Sequence, residues 1–260
     1  MHFAAKAGRA DNIKLLLENQ PKTARLRDRY KLTPMAYACK IGKPETILAF
    51  LDSKIIKVGQ GQGPDRMAPL SWAAATGNYD LCLNLIVNYK ARVLSKDKYK
   101  RFPIHHAIIN GHAKVASLLL QNGSDWNAVD SSGNSCLHYA AAGGYFQCVD
   151  LLMKHGAEIN AENMWKVTPI NIAMLMNHVG MVKRLLQEEG VDVNGKDDKG
   201  RTLLALTCID LSDEKMVDFA DYLMSKGADP NIPDINGNTV LHALATYTTD
   251  QPWRRHYPYN

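Results

Sequence analysis

Along the chain, short stretches with apolar residues at helical spacing alternate with polar, glycine-bearing turns. VASLLL at 115–120, CVDLLM at 148–153 and MVKRLL at 181–186 each place apolar side chains on one face of a helix. These stretches run into glycine turns, NGSDWN, HGAEIN and EGVDVN, with KGADPN further on. An extended finger follows, carrying Asp and often Gly, as in DSSGNS, DDKGRT and DINGNT. Next comes a shorter helical stretch. LTPMAYACKIG, MAPLSWAAATG, RFPIHHAIING, NSCLHYAAAGG and VTPINIAMLMN align without gaps, preceded by MHFAAKAG and followed by RTLLALTC and NTVLHALA. The pattern predicts two short antiparallel helices and a turn, repeated along the chain.

One apolar anchor marks each copy: Met1, Met35, Leu70, Ile104, Leu137, Ile170, Leu204 and Leu241, spaced by 34, 35, 34, 33, 33, 34 and 37 residues. In the second copy Thr33 is suited to cap a helix through its side-chain oxygen. Pro34 fits the first helical position, where no N–H is needed. Ala36 and Ala38 allow close helix contact, and Gly42 tolerates the left-handed end. Gly8, Gly77, Gly111 and Gly144 take the same place, and Asn177 replaces glycine in the sixth copy.

The spacing, the T-P-L-H-x-A-like start and the G-A-D-x-N-like end make the chain resemble the ankyrin-repeat family over essentially its whole length. The resemblance implies an all-α solenoid of helix-turn-helix units joined by extended hairpin-like fingers. The array covers residues 1–245, and 246–260 read as a tail or the start of a following segment. The first unit begins inside its first helix and the last runs into TYTTDQPWRRHYPYN. Both ends are therefore expected to be cut from a longer array or continued by another domain. The seventh unit lacks the proline and carries extra residues around Ile209 to Glu214, which marks it as the expected weak joint. The finger VGQGQGPDRM is unusually rich in glycine.

Composition narrows the functional classes. Apolar residues make up 46% of the 260 and charged residues 22%, enough for a buried core. No apolar run approaches a membrane span, and the amino terminus lacks a secretory signal. The five cysteines, Cys39, Cys82, Cys136, Cys148 and Cys208, form no C-x-x-C pair and read as small buried hydrophobes. The expected location is intracellular, cytoplasmic or nuclear. The net charge of +5 divides unevenly. Residues 1–101 hold 19 Lys and Arg against 8 Asp and Glu, whereas 102–260 hold 12 against 18.

Catalytic chemistry is not legible. Gly59, Gly61 and Gly63 lead into Pro64 and Asp65 instead of the Lys-Ser/Thr of a phosphate loop. His2, His105, His138 and His242 occupy the family's histidine place, where the resemblance implies a hydrogen bond to nearby backbone that ties repeats together. Tyr37, Trp72, His106, Tyr139 and Ile172 follow that place and are expected to pack between repeats. Trp126 stands where valine is usual and is expected to cover the base of its finger. The reading is a non-enzyme with no cofactor and no metal site.

The resemblance places partner binding on a concave surface of finger tips and first-helix ends. The candidates are Arg29, Tyr30, Lys98, Tyr99 and Arg101 on two basic fingers, and Met164 and Trp165 on an apolar one. Ile109, Asn110, Leu175 and Met176 lie at helix ends. Trp, Tyr and Arg are enriched at binding hot spots. The expected function is a protein–protein interaction scaffold, acting as a monomer, whose partner offers an acidic or phosphorylated segment. One alternative is a regulatory or substrate-recruiting segment of a larger enzyme or channel. Another is nucleic-acid binding through the basic half, with Tyr30 and Tyr99 as stacking platforms. An acidic second half and a pI near 8.8 weigh against it. Asn127, Asn160 and Asn194 stand in turns that resemble the family's asparaginyl-hydroxylation site, where they primarily stabilise the turn.

Overall fold

The computed structural model describes residues 1–208 and 214–246. Among them it contains fifteen α-helices and no strand, an all-α repeat architecture. The chain forms two compact units, Met1–Glu158 and a second one beginning at Ile159. The first unit holds α1 (His2–Lys6), α2 (Ala10–Asn19), α3 (Pro34–Ile41), α4 (Pro44–Asp52) and α5 (Pro69–Ala75). It continues with α6 (Tyr79–Val87), α7 (Pro103–Ile109), α8 (Ala113–Gln121), α9 (Cys136–Ala142) and α10 (Phe146–Lys154). The second holds α11 (Pro169–Leu175), α12 (Val179–Leu185), α13 (Leu203–Cys208), α14 (Glu214–Ser225) and α15 (Val240–Thr246). The seventh repeat's extra residues 209–213 and the tail from 247 onward lie outside the described residues.

Local chemistry sets the helix ends. Thr33 Oγ1 accepts the Ala36 N–H at 3.2 Å, and Pro34 opens α3. Gly42, at φ 74°, closes it with its N–H directed at Ala38 and Cys39 carbonyls. Asn177 adopts the same left-handed backbone at φ 59°. Residues of this kind end a helix without the steric cost that most side chains meet there.

Within the first unit, first helices stack on first helices (α1 on α3, α5 on α7, α7 on α9), and second helices on second helices (α2 on α4, α6 on α8, α8 on α10). In the second unit α11 packs on α13 and α13 on α15. The six internal anchors Met35, Leu70, Ile104, Leu137, Ile170 and Leu204 are at most 1% exposed. Met1 is half-buried and Leu241 is exposed. The second helices complete the core with Ile13, Ile47, Phe50, Leu81, Leu85, Leu119 and Leu152 in the first unit. Val182, Leu185 and Leu223 do so in the second. Each such side chain contributes roughly 1.5–3 kcal/mol on leaving water. All five cysteines are free and buried. Burial pushes the Cys82 thiol up to about 12 and those of Cys148 and Cys208 to about 11, so they behave as hydrophobes.

Candidate functional site

Six of the described fingers are each built on one side chain. Asp28, Asp97, Asp130, Asn163, Asp197 and Asp234 turn Oδ1 back onto their own finger. That oxygen accepts the backbone N–H two residues on and the one four residues on. For Asp97 the donors are Tyr99 and Arg101, at 2.8 and 2.9 Å. For Asn163 they are Trp165 and Val167, at 3.0 and 3.1 Å. Two N–H groups that cannot pair within a helix or sheet are thereby satisfied.

The second carboxylate oxygen ties the finger to the helix that follows. Tyr37 Oη donates to Asp28 Oδ2 and Tyr139 Oη to Asp130 Oδ2, each at 2.6 Å. His106 Nε2 lies 3.1 Å from Asp97 Oδ2. The place read as inter-repeat packing is therefore also the tether of the preceding finger. In the finger at 63–67 the acid is replaced by Gly63, and Trp72, at the tether position, has a buried indole N–H without a hydrogen-bond partner. In the finger at 163–167, Asn163 stands in register with apolar Ile172.

Adjacent fingers are joined by backbone. Lys98 N–H donates to Asp65 O at 2.9 Å and Ser131 N–H to Tyr99 O at 2.8 Å in the first unit. In the second, Asp198 N–H donates to Trp165 O at 2.9 Å and Ile235 N–H to Lys199 O at 3.1 Å. The histidines add a further bond between repeats: His105 Nε2 meets Ala128 O at 3.0 Å and His2 Nε2 meets Leu32 O at 3.1 Å. Burial drives the His105 imidazole down to about 4. With Nδ1 accepting the Phe102 N–H at 3.2 Å, the ring is a neutral structural donor.

On this frame the sequence candidates fall as follows. In the first unit Arg29 lies over the Tyr30 ring at 4.7 Å and donates to its hydroxyl at 2.6 Å. Lys98 Nζ stands 4.6 Å and Arg101 Cζ 4.7 Å from the Tyr99 ring centre. Tyr30 is 57% and Tyr99 42% exposed, so both present ring surface to solvent under a cation. Arg101 differs from its neighbours. Its chain turns inward and its Nε donates to Asp97 Oδ2 at 2.8 Å, so its charge is spent within the finger. Lys98 is paired with Asp65 at 2.8 Å. Ile109 is half-buried, and exposed Asn110 returns its Nδ2–H to His106 O at 2.9 Å. In the second unit Met164 is 65% exposed, while Trp165, Leu175 and Met176 are half-buried.

The turn asparagines separate into two kinds. Asn160 Nδ2 donates to Gly190 O at 2.6 Å and its Oδ1 accepts Asp192 N–H at 2.9 Å. Asn194 repeats this with Gly227 at 3.0 Å and Asp229 at 2.9 Å. Asn127 is exposed, and its side-chain amide bonds no described residue. Trp126, beside it, packs on His155 at 5.7 Å between ring centres. Among the described residues no group of three or more His, Cys, Asp or Glu is placed to hold a metal. No described helix is long and apolar enough to cross a membrane.

The framing role of the finger Asp has a sequence signal of its own. An Asp nine residues before Tyr or His, at 28 and 37, 97 and 106, and 130 and 139, is the signal that carries it.

Comparison with known proteins agrees with this geometry. The family model for ankyrin repeats matches in three copies, over residues 1–97, 70–163 and 160–234. The poly [ADP-ribose] polymerase tankyrase of Caenorhabditis elegans is 32% identical over 94% of this chain and 12% of its own length. The nuclear factor NF-kappa-B p105 subunit of Gallus gallus is 34% identical over 61% of this chain and 16% of its own. The transient receptor potential cation channel subfamily A member 1 of Homo sapiens is 33% identical over 35% and 8%. The chain thus spans less than a fifth of the length of each of these relatives. The repeated helix pairs, the framed fingers and the family match together place this chain in the ankyrin-repeat family.

Proposed function

We propose that this chain is a non-catalytic scaffold that binds a segment of another protein across its finger tips. One observation carries this reading. Six of the described fingers are locked by the same pair of bonds from backbone N–H groups to an Asp or Asn side chain, yet the pair of residues at the tip changes: Arg29 and Tyr30, Lys98 and Tyr99, Met164 and Trp165. A fixed frame with variable, exposed aromatic and basic tips is what a binding surface needs and what core packing does not. Ankyrin repeats in general mediate protein–protein contacts, which accords with the family match.

Coverage of only 8–16% of these three relatives favours a second reading beside the first. In it the array serves a larger polypeptide, recruiting a partner to an activity held elsewhere. The first reading is tested by immobilising the purified chain and collecting ligands from nuclease-treated lysate. A parallel column carries Arg29→Ala, Tyr30→Ala, Lys98→Ala, Tyr99→Ala and Trp165→Ala together. A protein retained by the parent and released by the variant is the expected result. Equal retention on both columns moves the binding surface away from the finger tips.

A further inference from the structure

The frame of each finger ends in a residue with left-handed backbone, three places after the framing side chain. Gly133, Gly200 and Gly237 fill it with φ of 79°, 74° and 81°, as local sterics favour. The first three fingers of the first unit fill it with a cation instead. Lys31 has φ 60°, Arg66 57° and Lys100 61°. Lys166 does the same in the second unit, at 55°. A side chain in this region carries backbone strain that glycine avoids, and strain of this kind collects at functional positions.

Lys31, Arg66 and Lys100 are all exposed. None has an acidic partner among the described residues, in contrast to Lys98 on Asp65 and Arg101 on Asp97. Their fingers are neighbours. A Cβ on Gly63 would lie 3.0 Å from Leu32 Cδ2, and Lys98 N–H donates to Asp65 O at 2.9 Å. Asp65, the acid nearest the middle of the row, is neutralised by Lys98. At least one positive charge without an acidic partner among the described residues therefore stands on each of three successive tips.

We infer that Lys31, Arg66 and Lys100 form a row of anion-binding positions that receives an acidic segment of a protein partner laid across these tips. The inference rests on the proposed function and names the chemistry of its ligand. A protein segment is favoured over nucleic acid because a cation already covers a face of each exposed tyrosine ring, at 4.7 Å for Tyr30 and 4.6 Å for Tyr99. A stacking base would have to displace that cation or take the opposite face alone. Carboxylates spaced along an extended chain need only the row of charges.

The glycine substitution separates binding from folding, because the two respond with opposite sign. The probe is a labelled peptide of about twelve glutamates, followed by anisotropy at an ionic strength of about 0.1 M. The combined variant Lys31→Gly, Arg66→Gly and Lys100→Gly is expected to raise Tm by about 2 °C or more, while weakening peptide binding by at least about tenfold. A control losing the same charge elsewhere, Lys6→Gln, Lys14→Gln and Lys114→Gln, is expected to weaken it less than about threefold. Equal losses in both variants would show a response to net charge alone and overturn the row. So would a parent that does not bind the peptide, or tighter binding of a thymidine oligonucleotide of similar length. A lysate partner lost from the finger-tip alanine variant but kept by the glycine variant would remove this inference and leave the interaction reading standing. A partner kept by both would move the binding surface away from the finger tips and remove this inference with it.

Discussion

The fingers at 97–101 and 197–201 share a frame and differ in everything they show to solvent. In both, the Asp Oδ1 takes the N–H groups two and four residues on, at 2.8 and 2.9 Å in the first and 3.0 and 2.8 Å in the second. In both, Oδ2 takes the Arg Nε at 2.8 Å. The tips diverge. Lys98, Tyr99 and Lys100 stand in one, Asp198, Lys199 and Gly200 in the other. Beneath them the first carboxylate also meets His106, whereas Leu206 holds that place in the second. The frame is thus separable from the tip, and a finger can change its chemistry without changing its fold.

Breaking the frame should have the largest effect. Both carboxylates are fully buried, and each satisfies two N–H groups and a guanidinium. Asp97→Ala or Asp197→Ala leaves those donors stranded, at a cost of about 3 kcal/mol. Asp97→Ala should cost more, because it also strands His106. Urea unfolding followed by circular dichroism measures both. Losses below about 1 kcal/mol would mean that backbone pairing alone holds the fingers.

The tips respond to a missing Cβ in opposite ways. A Cβ on Gly200 would stand 2.8 Å from Ile235 N and 3.0 Å from the Asp234 backbone. The following finger leaves no room, and the backbone is left-handed at φ 74°. Gly200→Ala should therefore destabilise by about 2 kcal/mol. The corresponding place at Lys100 already accommodates a side chain. A variant as stable as the parent would show that the 234–238 finger yields without loss.

Acid should also test the frame at Asp97. Burial alone would raise the Asp97 carboxyl, but the His106 bond, the Arg101 N–H and the Arg101 charge outweigh it and bring it from 3.8 to about 2. A carboxylate depressed in the fold stabilises fully above its ordinary value and loses that stabilisation as pH falls toward 2. His105, on α7, adds an earlier step. Burial lowers it from 6.5 to about 4, so its contribution is complete above 6.5 and is lost as pH falls through 4. Urea midpoints taken at successive pH values should fall in both windows. His105→Gln, which keeps a donor for Ala128 O, should flatten the upper window and Asp97→Asn the lower. Parent-like slopes in both variants would assign acid sensitivity to other groups.

The helices were legible because their signals are local and repeated. Thr33, Pro34 and Gly42 define α3 by contacts within a few residues, and the anchors recur at nearly constant spacing. The fingers were less legible. Their Asp was visible as a finger residue, but its tether lies nine residues away on another element. Arg101 looked like a partner-facing cation beside Lys98. Nothing in its identity says that it turns inward onto Asp97, since the same residue type serves both uses. Asn127, Asn160 and Asn194 were equivalent in sequence, yet only the latter two bridge to the following turn. The left-handed lysines were invisible, because lysine does not signal that conformation; only their register with Gly133, Gly200 and Gly237 reveals it.

The smallest effect probes that register most directly. If Lys100 is held in left-handed backbone by the frame and not by its own preference, glycine should fit better there. Lys100→Gly removes the strain of φ 61° but adds freedom to the unfolded chain, so the net gain is about 0.5 kcal/mol. The same change at Lys98, whose φ is not left-handed, should destabilise by about 1 kcal/mol, since the loss of the Asp65 pair adds to the entropic term. Paired urea curves resolve the sign even where the size is small. Gain at 100 with loss at 98 fixes the strain to the frame position that Gly200 fills in the other finger. Loss at both would mean that the two fingers differ in backbone as well as in tip.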